Sequence, residues 1–297
     1  MSAPRTLPFR QVDVFGAGPF LGNPLAVVLD AEGLDEAAMR RIAAWTDLSE
    51  TTFVLPPQDP GADYRVRILT PSEELPFAGH PTLGTAAAWL AAGGVPRTPG
   101  TVVQECGAGL VPVSVADDGA LAFRAPAPVR SGPVADADRD AALALCGLAP
   151  GDVLEARWID NGPGWMGLLL ADDAAVRAVR PRVVPGAERL RVGLVGLTAS
   201  AQGSAAPAAQ GPEAGPAVEV RALIGAAGAV REDPVTGSLN AAAAQWMVGS
   251  GRLTPPYTAV QGSQTGRDGR VRITQDADGA LWVGGTVTPG VVGTLAV

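Results

Sequence analysis

Glu50, His80 and Asp233 are the side chains of this chain whose types and settings could move a proton. Glu50 stands in Asp47-Leu48-Ser49-Glu50-Thr51-Thr52, between a helical pattern and an apolar strand pattern. An acid at such a junction is either a solvated cap or a general base, and the residues alone leave both readings open. His80, the one histidine of the sequence, follows a glycine where a helix is expected to begin. The positive end of the helix dipole there would favour the neutral imidazole, as donor, shuttle or simple cap. Asp233 precedes Pro234 at a second such turn and is open to the same two interpretations, cap or participant.

The two turns echo each other. Glu74-Leu75-Pro76-Phe77-Ala78-Gly79-His80 and Glu232-Asp233-Pro234-Val235-Thr236-Gly237-Ser238 share the pattern Glu-x-Pro-x-x-Gly-polar, and an alanine-rich run with one tryptophan follows each. Each echo predicts a turn that opens a helix, running to Gly93 in the first case and Gly249 in the second. A helix start presents unpaired N–H groups and partial positive charge, so Gly79, Gly237 and Ser238 are candidate anion-binding positions. Two matched starts facing one cleft are expected to hold an organic acid.

The elements that must carry these turns can be read from periodicity. Alternation over Phe9–Phe15 and Tyr64–Leu69, and apolar runs over Leu25–Leu29 and Thr52–Leu55, predict strands. Asp35 to Thr46 reads as a helix with Ala38, Met39, Ile42, Ala43 and Trp45 inward. The second half repeats this grammar, with strands near 167–170, 191–195, 218–223, 258–261, 271–274 and 281–287. Both echo helices are apolar around most of their circumference, as a helix wrapped by a curved sheet would be. The expected division is 1–128 and 129–297, with the final strand free to return to the first half and 198–217 as a mobile insertion poor in periodic apolar residues. Proline and glycine cluster over 126–133, the expected hinge.

Composition removes several function classes. The formal charge is −8, and the 22 basic residues are all arginine, with no basic stripe, so a nucleic-acid partner is not expected. Absence of lysine excludes Schiff-base chemistry and covalent pyridoxal phosphate. One histidine and two separated cysteines, Cys106 and Cys146, argue against a metal centre. No apolar run resembles a signal peptide or approaches the ~18 residues of a membrane span, and the expectation is a cytoplasmic protein with reduced thiols.

Four strings in order also carry a resemblance: Val12-Asp13-Val14-Phe15 with Gly22-Asn23-Pro24-Leu25, Leu48-Ser49-Glu50-Thr51, Glu74 to Gly84, and Glu232 to Ser238, followed by Gln261-Gly262 and Gly266-Arg267. Together they are similar to the phenazine-biosynthesis PhzF-like isomerase family. That resemblance implies an α+β diaminopimelate-epimerase-like fold, two pseudo-symmetric halves that each wrap a curved mixed or antiparallel sheet around a central helix. It further implies that Glu50 is the acid/base, that His80 and Asp233 assist transfer or hold the substrate, and that Gly79, Gly237 and Ser238 bind its carboxylate. No cofactor is implied, and a homodimer is.

Related racemases of this fold use a thiol just before each turn glycine, where this chain has Ala78 and Thr236. The expected activity is therefore a cofactor-free shift of a proton and a double bond along a small unsaturated carboxylic or amino acid, in specialised biosynthesis. Glu50 would serve both carbons on one face, with burial raising its pKa toward ~6. Leu223, Gly225 and Asp268-Gly269 depart from the usual family pattern, which leaves the substrate open. Two alternatives stand beside this expectation: an epimerase using Glu50 and Asp233, and an inactive protein that binds small acids.

Overall fold

The computed structural model describes residues 5–202 and 215–297. Two compact units are formed, one from Met1–Arg124 with Gly284–Val297 and one from Ala125–Val283. The first contains β1 (Thr6–Val14), β2 (Asn23–Val28), α1 (Glu36–Thr46), β3 (Thr51–Leu55), β4 (Tyr64–Leu69), β5 (Glu74–Leu75), α2 (Gly79–Ala91), β6 (Thr101–Cys106), β7 (Gly109–Val115) and β8 (Leu121–Arg124). The second contains β9 (Arg130–Pro133), α3 (Asp136–Cys146), β10 (Val153–Asp160), β11 (Trp165–Leu170), α4 (Asp173–Ala178), β12 (Arg191–Leu197), β13 (Val218–Ala226), β14 (Ala229–Asp233), α5 (Gly237–Gly249), β15 (Tyr257–Gln261) and β16 (Gly269–Gln275). After β17 (Leu281–Gly285), β18 (Val287–Ala296) lies antiparallel to β1 in the first unit.

Strand directions show that the two echoes belong to a repeated architecture. In the first unit β1 pairs antiparallel with β18 and β2, β2 runs parallel to β3, β3 antiparallel to β4, and β4 parallel to β6. In the second, β10 pairs antiparallel with β9 and β11, β11 runs parallel to β12, β12 antiparallel to β13, and β13 parallel to β15. Each order then ends in antiparallel pairs, β6–β7–β8 and β15–β16. In each unit a short strand, β5 or β14, folds back on the strand before it and leads into the central helix. This is the α+β, helix-in-sheet arrangement that the sequence leads one to expect.

The central helices are buried on nearly every side. α2 touches β1, β2, β3, β6, β7, β8 and β18, and α5 touches β10, β11, β12 and β16. Such close approach depends on missing side chains. A Cβ at Gly84 of α2 would come within 2.6 Å of Leu25 and 3.0 Å of Val12 and Val14. Around α5 the glycines are on the strands instead: a Cβ at Gly167 would lie 2.7 Å from Trp246, and one at Gly193 would lie 2.3 Å from Leu239. The buried hydroxyls of α2 are paired, Thr85 donating to Thr52 Oγ1 at 2.8 Å and Thr82 accepting from Gln104 at 3.0 Å. Buried hydroxyls left without partners would cost about 1–3 kcal/mol each.

Several expectations need revision. Met39 and Ala43 are buried in α1, but Trp45 is 78% exposed, because a stripe through positions 39 and 43 puts position 45 on the far side of a helix turning 100° per residue. Arg130–Pro133, within the proline-rich stretch read as a hinge, pairs as β9 with β10. The last strand read as 281–287 is two strands, β17 and β18. Of the expected insertion 198–217, residues 203–214 lie outside the described residues, while its ends are joined by the Thr198 N–H donating to the Ala217 carbonyl at 3.0 Å. Among the described residues no helix is long and apolar enough to cross a membrane.

Candidate active site

The six expected site residues fall into two groups, one within each unit. In the first unit, α1 is capped by Asp35, whose side chain accepts from the Ala38 N–H at 2.7 Å, and is closed by Asp47 in the left-handed region at φ 53°. Aspartate tolerates that conformation better than most side chains. The short loop that follows is bracketed by a hydrogen bond of 2.8 Å between the Thr46 and Thr51 hydroxyls. Glu50 thus leaves a braced loop one residue before β3, with a side chain only 16% exposed. Its Oε2 lies 3.5 Å from Nε2 of His80.

His80 is the second residue of α2, behind Ala78 in extended conformation and Gly79 as first helical residue. Ala78 has no side chain with which to cap, and Pro81 has no N–H. The N–H groups of Gly79 and His80 precede the first intrahelical bond, in which Thr82 donates to Ala78 at 3.1 Å. Burial depresses the imidazole pKa from 6.5 to about 3, so the ring is neutral at every physiological pH. Its other nitrogen, Nδ1, lies 3.4 Å from the amide nitrogen of Asn23.

Asn23 is fully buried at the start of β2, and the strings around it explain its placement. The Gly22 N–H donates to the buried Asp13 carboxylate at 2.8 Å. A Cβ on Gly22 would stand 2.2 Å from the Val14 carbonyl oxygen, so only glycine permits the turn that delivers Asn23.

In the second unit, Asp233 ends β14 and accepts a hydrogen bond from the Thr236 hydroxyl. Thr236 is the extended residue before α5 and does not cap the helix with its side chain. One buried amide organises this turn. Gln261 Oε1 accepts from the Thr236 N–H at 3.0 Å and from Asn240 at 2.8 Å, while its Nε2 donates to the Asp233 carbonyl and the Thr236 hydroxyl, both at 3.0 Å. Gly237 and Ser238 are the first two helical residues. Ser238 is fixed from β11 and the turn before it, its hydroxyl accepting from Trp165 Nε1 at 3.0 Å and its carbonyl from Asn161 Nδ2 at 2.9 Å.

Both echo glutamates are structural. Glu74 takes two bonds from Arg67 of β4, including one of 2.8 Å from Nε, and Glu232 takes two from Arg221 of β13 at 2.9 and 2.8 Å. Each therefore ties the short strand before a central helix to its neighbour, with the same bidentate chemistry in both units. Arg221 is 2% exposed and also donates to the Val176 and Val179 carbonyls at 2.9 Å.

Asn23, Thr236 and Gln261 were not singled out as site residues by sequence reasoning. Asn23 and Gln261 stand in strings that carry the family resemblance, and Thr236 in a slot noted only for lacking a thiol. Both cysteines are free, and burial pushes Cys146 up to about 12 and raises Cys106 above its ordinary value. Neither thiol is a nucleophile or base at neutral pH.

Comparison with known proteins places the chain in a family. Residues 12–288 match the phenazine biosynthesis-like protein family, PhzC-PhzF. "Antisense-enhancing sequence 1" of Schizosaccharomyces pombe is 32% identical over 93% of this chain and 94% of its own. A trans-2,3-dihydro-3-hydroxyanthranilate isomerase of Pseudomonas fluorescens is 56% identical over 77 residues, 26% of this chain and 27% of that protein. The crystal structure of a Bacillus anthracis phenazine biosynthesis protein of the PhzF family, 24% identical, shares the fold with a TM-score of 0.78 over 99% of this chain and 100% of that one. The chain belongs to the phenazine biosynthesis-like family, PhzC-PhzF, and is an isomerase of that family.

Proposed function

We propose that this isomerase works without a cofactor, moving a proton and with it a double bond along a small unsaturated carboxylic or amino acid, with Glu50 as the carrier. The observation that carries the reading is the Glu50–His80 pair, a shielded carboxylate 3.5 Å from a buried imidazole on the first turn of α2. Glu50 takes a proton from an allylic carbon, and the electron pair left behind spreads through the conjugated system toward the substrate carboxylate. Glu50 then returns the proton to a second carbon of that system. Atoms and charge balance without an oxidant, and a single carrier makes the shift suprafacial.

Charge developing on the substrate is stabilised by the N–H groups of Gly79 and His80, worth about 3 kcal/mol for a well-placed donor. Glycine suits this position because no side chain holds the ligand away from the backbone. A neutral His80 donates a hydrogen bond without adding a competing acid. In the second unit Gly237 and Ser238 offer a helix start of the same kind, a second candidate carboxylate site beside Asp233, which is held by Thr236.

The named relative acts on a dihydro-hydroxyanthranilate, and its similarity to a quarter of this chain supports an unsaturated cyclic amino acid as the substrate class. The test is incubation of the protein in deuterium oxide with a panel of dihydroaromatic and unsaturated amino acids. Label gained at one carbon with movement of the double bond supports the reading. Loss of chirality at one carbon without such movement, or no exchange with any acid that binds, overturns it.

A further inference from the structure

We infer that Asn23 is a positioning residue that fixes His80 as the tautomer protonated on Nε2, so that the ring donates toward Glu50 and accepts from Asn23. The assignment deepens the proposed role of Glu50 and rests on it for its catalytic consequence, although the tautomer itself is independent of any activity.

The geometry leaves the ring little choice. Asn23 is completely buried at the start of β2, and His80 is 5% exposed, so water cannot easily replace either partner. The Asn23 Nδ2 is a donor only, and it lies 3.4 Å from Nδ1 of His80. A neutral imidazole that accepts at Nδ1 must carry its proton on Nε2. That nitrogen faces Glu50 Oε2 at 3.5 Å. In the opposite tautomer two lone pairs, on Nε2 and on the carboxylate, would point at each other in a site of low dielectric. The opposite amide orientation of Asn23 would demand that unfavourable tautomer, so carboxylate and amide select the same state.

The consequence is a division of labour on one ring. The Nε2–H side of the ring has Glu50 Oε2 3.5 Å away, so the donor side faces the proton carrier and the acceptor side faces Asn23. His80 then cannot act as the base itself. Gly22 and Asp13 become part of the same device, because they place Asn23.

A single histidine makes the test direct: in protein labelled with nitrogen-15 histidine, long-range proton–nitrogen spectra show one imidazole. The wild type is expected to show a pyrrole-type Nε2 and a pyridine-type Nδ1 from pH 5 to 8. In Asn23→Ala the signals should move toward a tautomer mixture, with kcat reduced roughly 10- to 100-fold, as for other groups that orient a functional histidine. Glu50→Gln should lose exchange yet keep the Nδ1 signal pyridine-type. A wild-type ring protonated on Nδ1, or an Asn23→Ala protein that retains the wild-type spectrum, overturns the inference. The wild-type spectrum decides even if the Asn23 variant does not fold. A wild type with the expected spectrum but no exchange on any acid would instead refute only the proposed reaction.

Discussion

Glu50 Oε2 and His80 Nε2 lie 3.5 Å apart, yet the two residues arrive from unrelated local structures, one from the loop after α1 and the other from the first turn of α2. Neither placement depends on the other. The glutamate is set by a left-handed Asp47 and the Thr46–Thr51 bond, and the histidine by a helix buried on nearly every side by the sheet around it. Burial keeps the imidazole neutral, so the pair is not a salt bridge. That is the state a carbon base needs, since a full positive charge alongside would stabilise the carboxylate and weaken it as a base.

The same burial makes His80 a source of acid sensitivity. Its pKa falls from 6.5 to about 3 on folding, so between those values the unfolded chain binds a proton that the folded chain does not. Stability therefore rises with pH across this window: the full contribution is present above 6.5 and is lost as pH falls toward 3. The slope is about 1.4 kcal/mol per pH unit. Urea unfolding at pH 7 and pH 5 should show the wild type losing ~2 kcal/mol more than His80→Gln. Equal losses in both proteins would place a charged imidazole in the fold.

The two bidentate arginine–glutamate pairs predict unequal stability effects. Arg221 is 2% exposed and its pair with Glu232 is largely shielded, so Arg221→Ala should cost about 3–5 kcal/mol by stranding a half-buried carboxylate and emptying a buried arginine site. Arg67 and Glu74 are 23% and 35% exposed, and Arg67→Ala should cost about 0–1 kcal/mol. Denaturant midpoints of the two variants measure the difference directly. Similar losses would mean that the repeat shares energetics as well as chemistry.

Gly84→Ala tests how tightly the first sheet closes on α2. A helix interior ordinarily gains stability from this change, by about 1 kcal/mol. Here the new methyl would lie 2.6 Å from Leu25 and 3.0 Å from Val12 and Val14, so a net loss of about 1–3 kcal/mol is expected in thermal or urea unfolding. A more stable variant would show that the sheet relaxes around the helix.

Gln261→Ala should separate position from chemistry in the second unit. Its amide makes hydrogen bonds to Asp233, Thr236 and Asn240, so its removal should free the turn before α5 and raise KM about tenfold or more while the fold persists. Unchanged KM with the proposed substrate class would remove that turn from binding.

What could be read from the sequence follows from the range of the interactions. The echo of Glu74 to His80 in Glu232 to Ser238 announced two matched helix starts, because turn chemistry is local and glycine positions are visible in one dimension. The apolar circumference of both helices likewise foretold a surrounding sheet, since no exposed helix has that composition. Glu50 and His80 stood out because each sits at the junction of two readable patterns. Asn23 did not: nothing local distinguishes it from any asparagine at the start of a strand, and its role exists only where β2 meets α2. Gln261 is hidden in the same way, its partners lying 21 to 28 positions away. Trp45 is apolar yet outward, because helix phase and not residue type decides which side it faces.

In the proposed reaction the Glu50 carboxyl carries the proton. The most direct test of that role is solvent deuterium incorporation into an accepted unsaturated acid, comparing the wild type with Glu50→Gln, an isosteric amide that cannot exchange a proton with carbon. Label is expected to enter with the wild type, while the rate with Glu50→Gln falls by about 100-fold or more and the variant keeps wild-type stability and affinity for the acid. Label entering at the wild-type rate in Glu50→Gln would contradict that role.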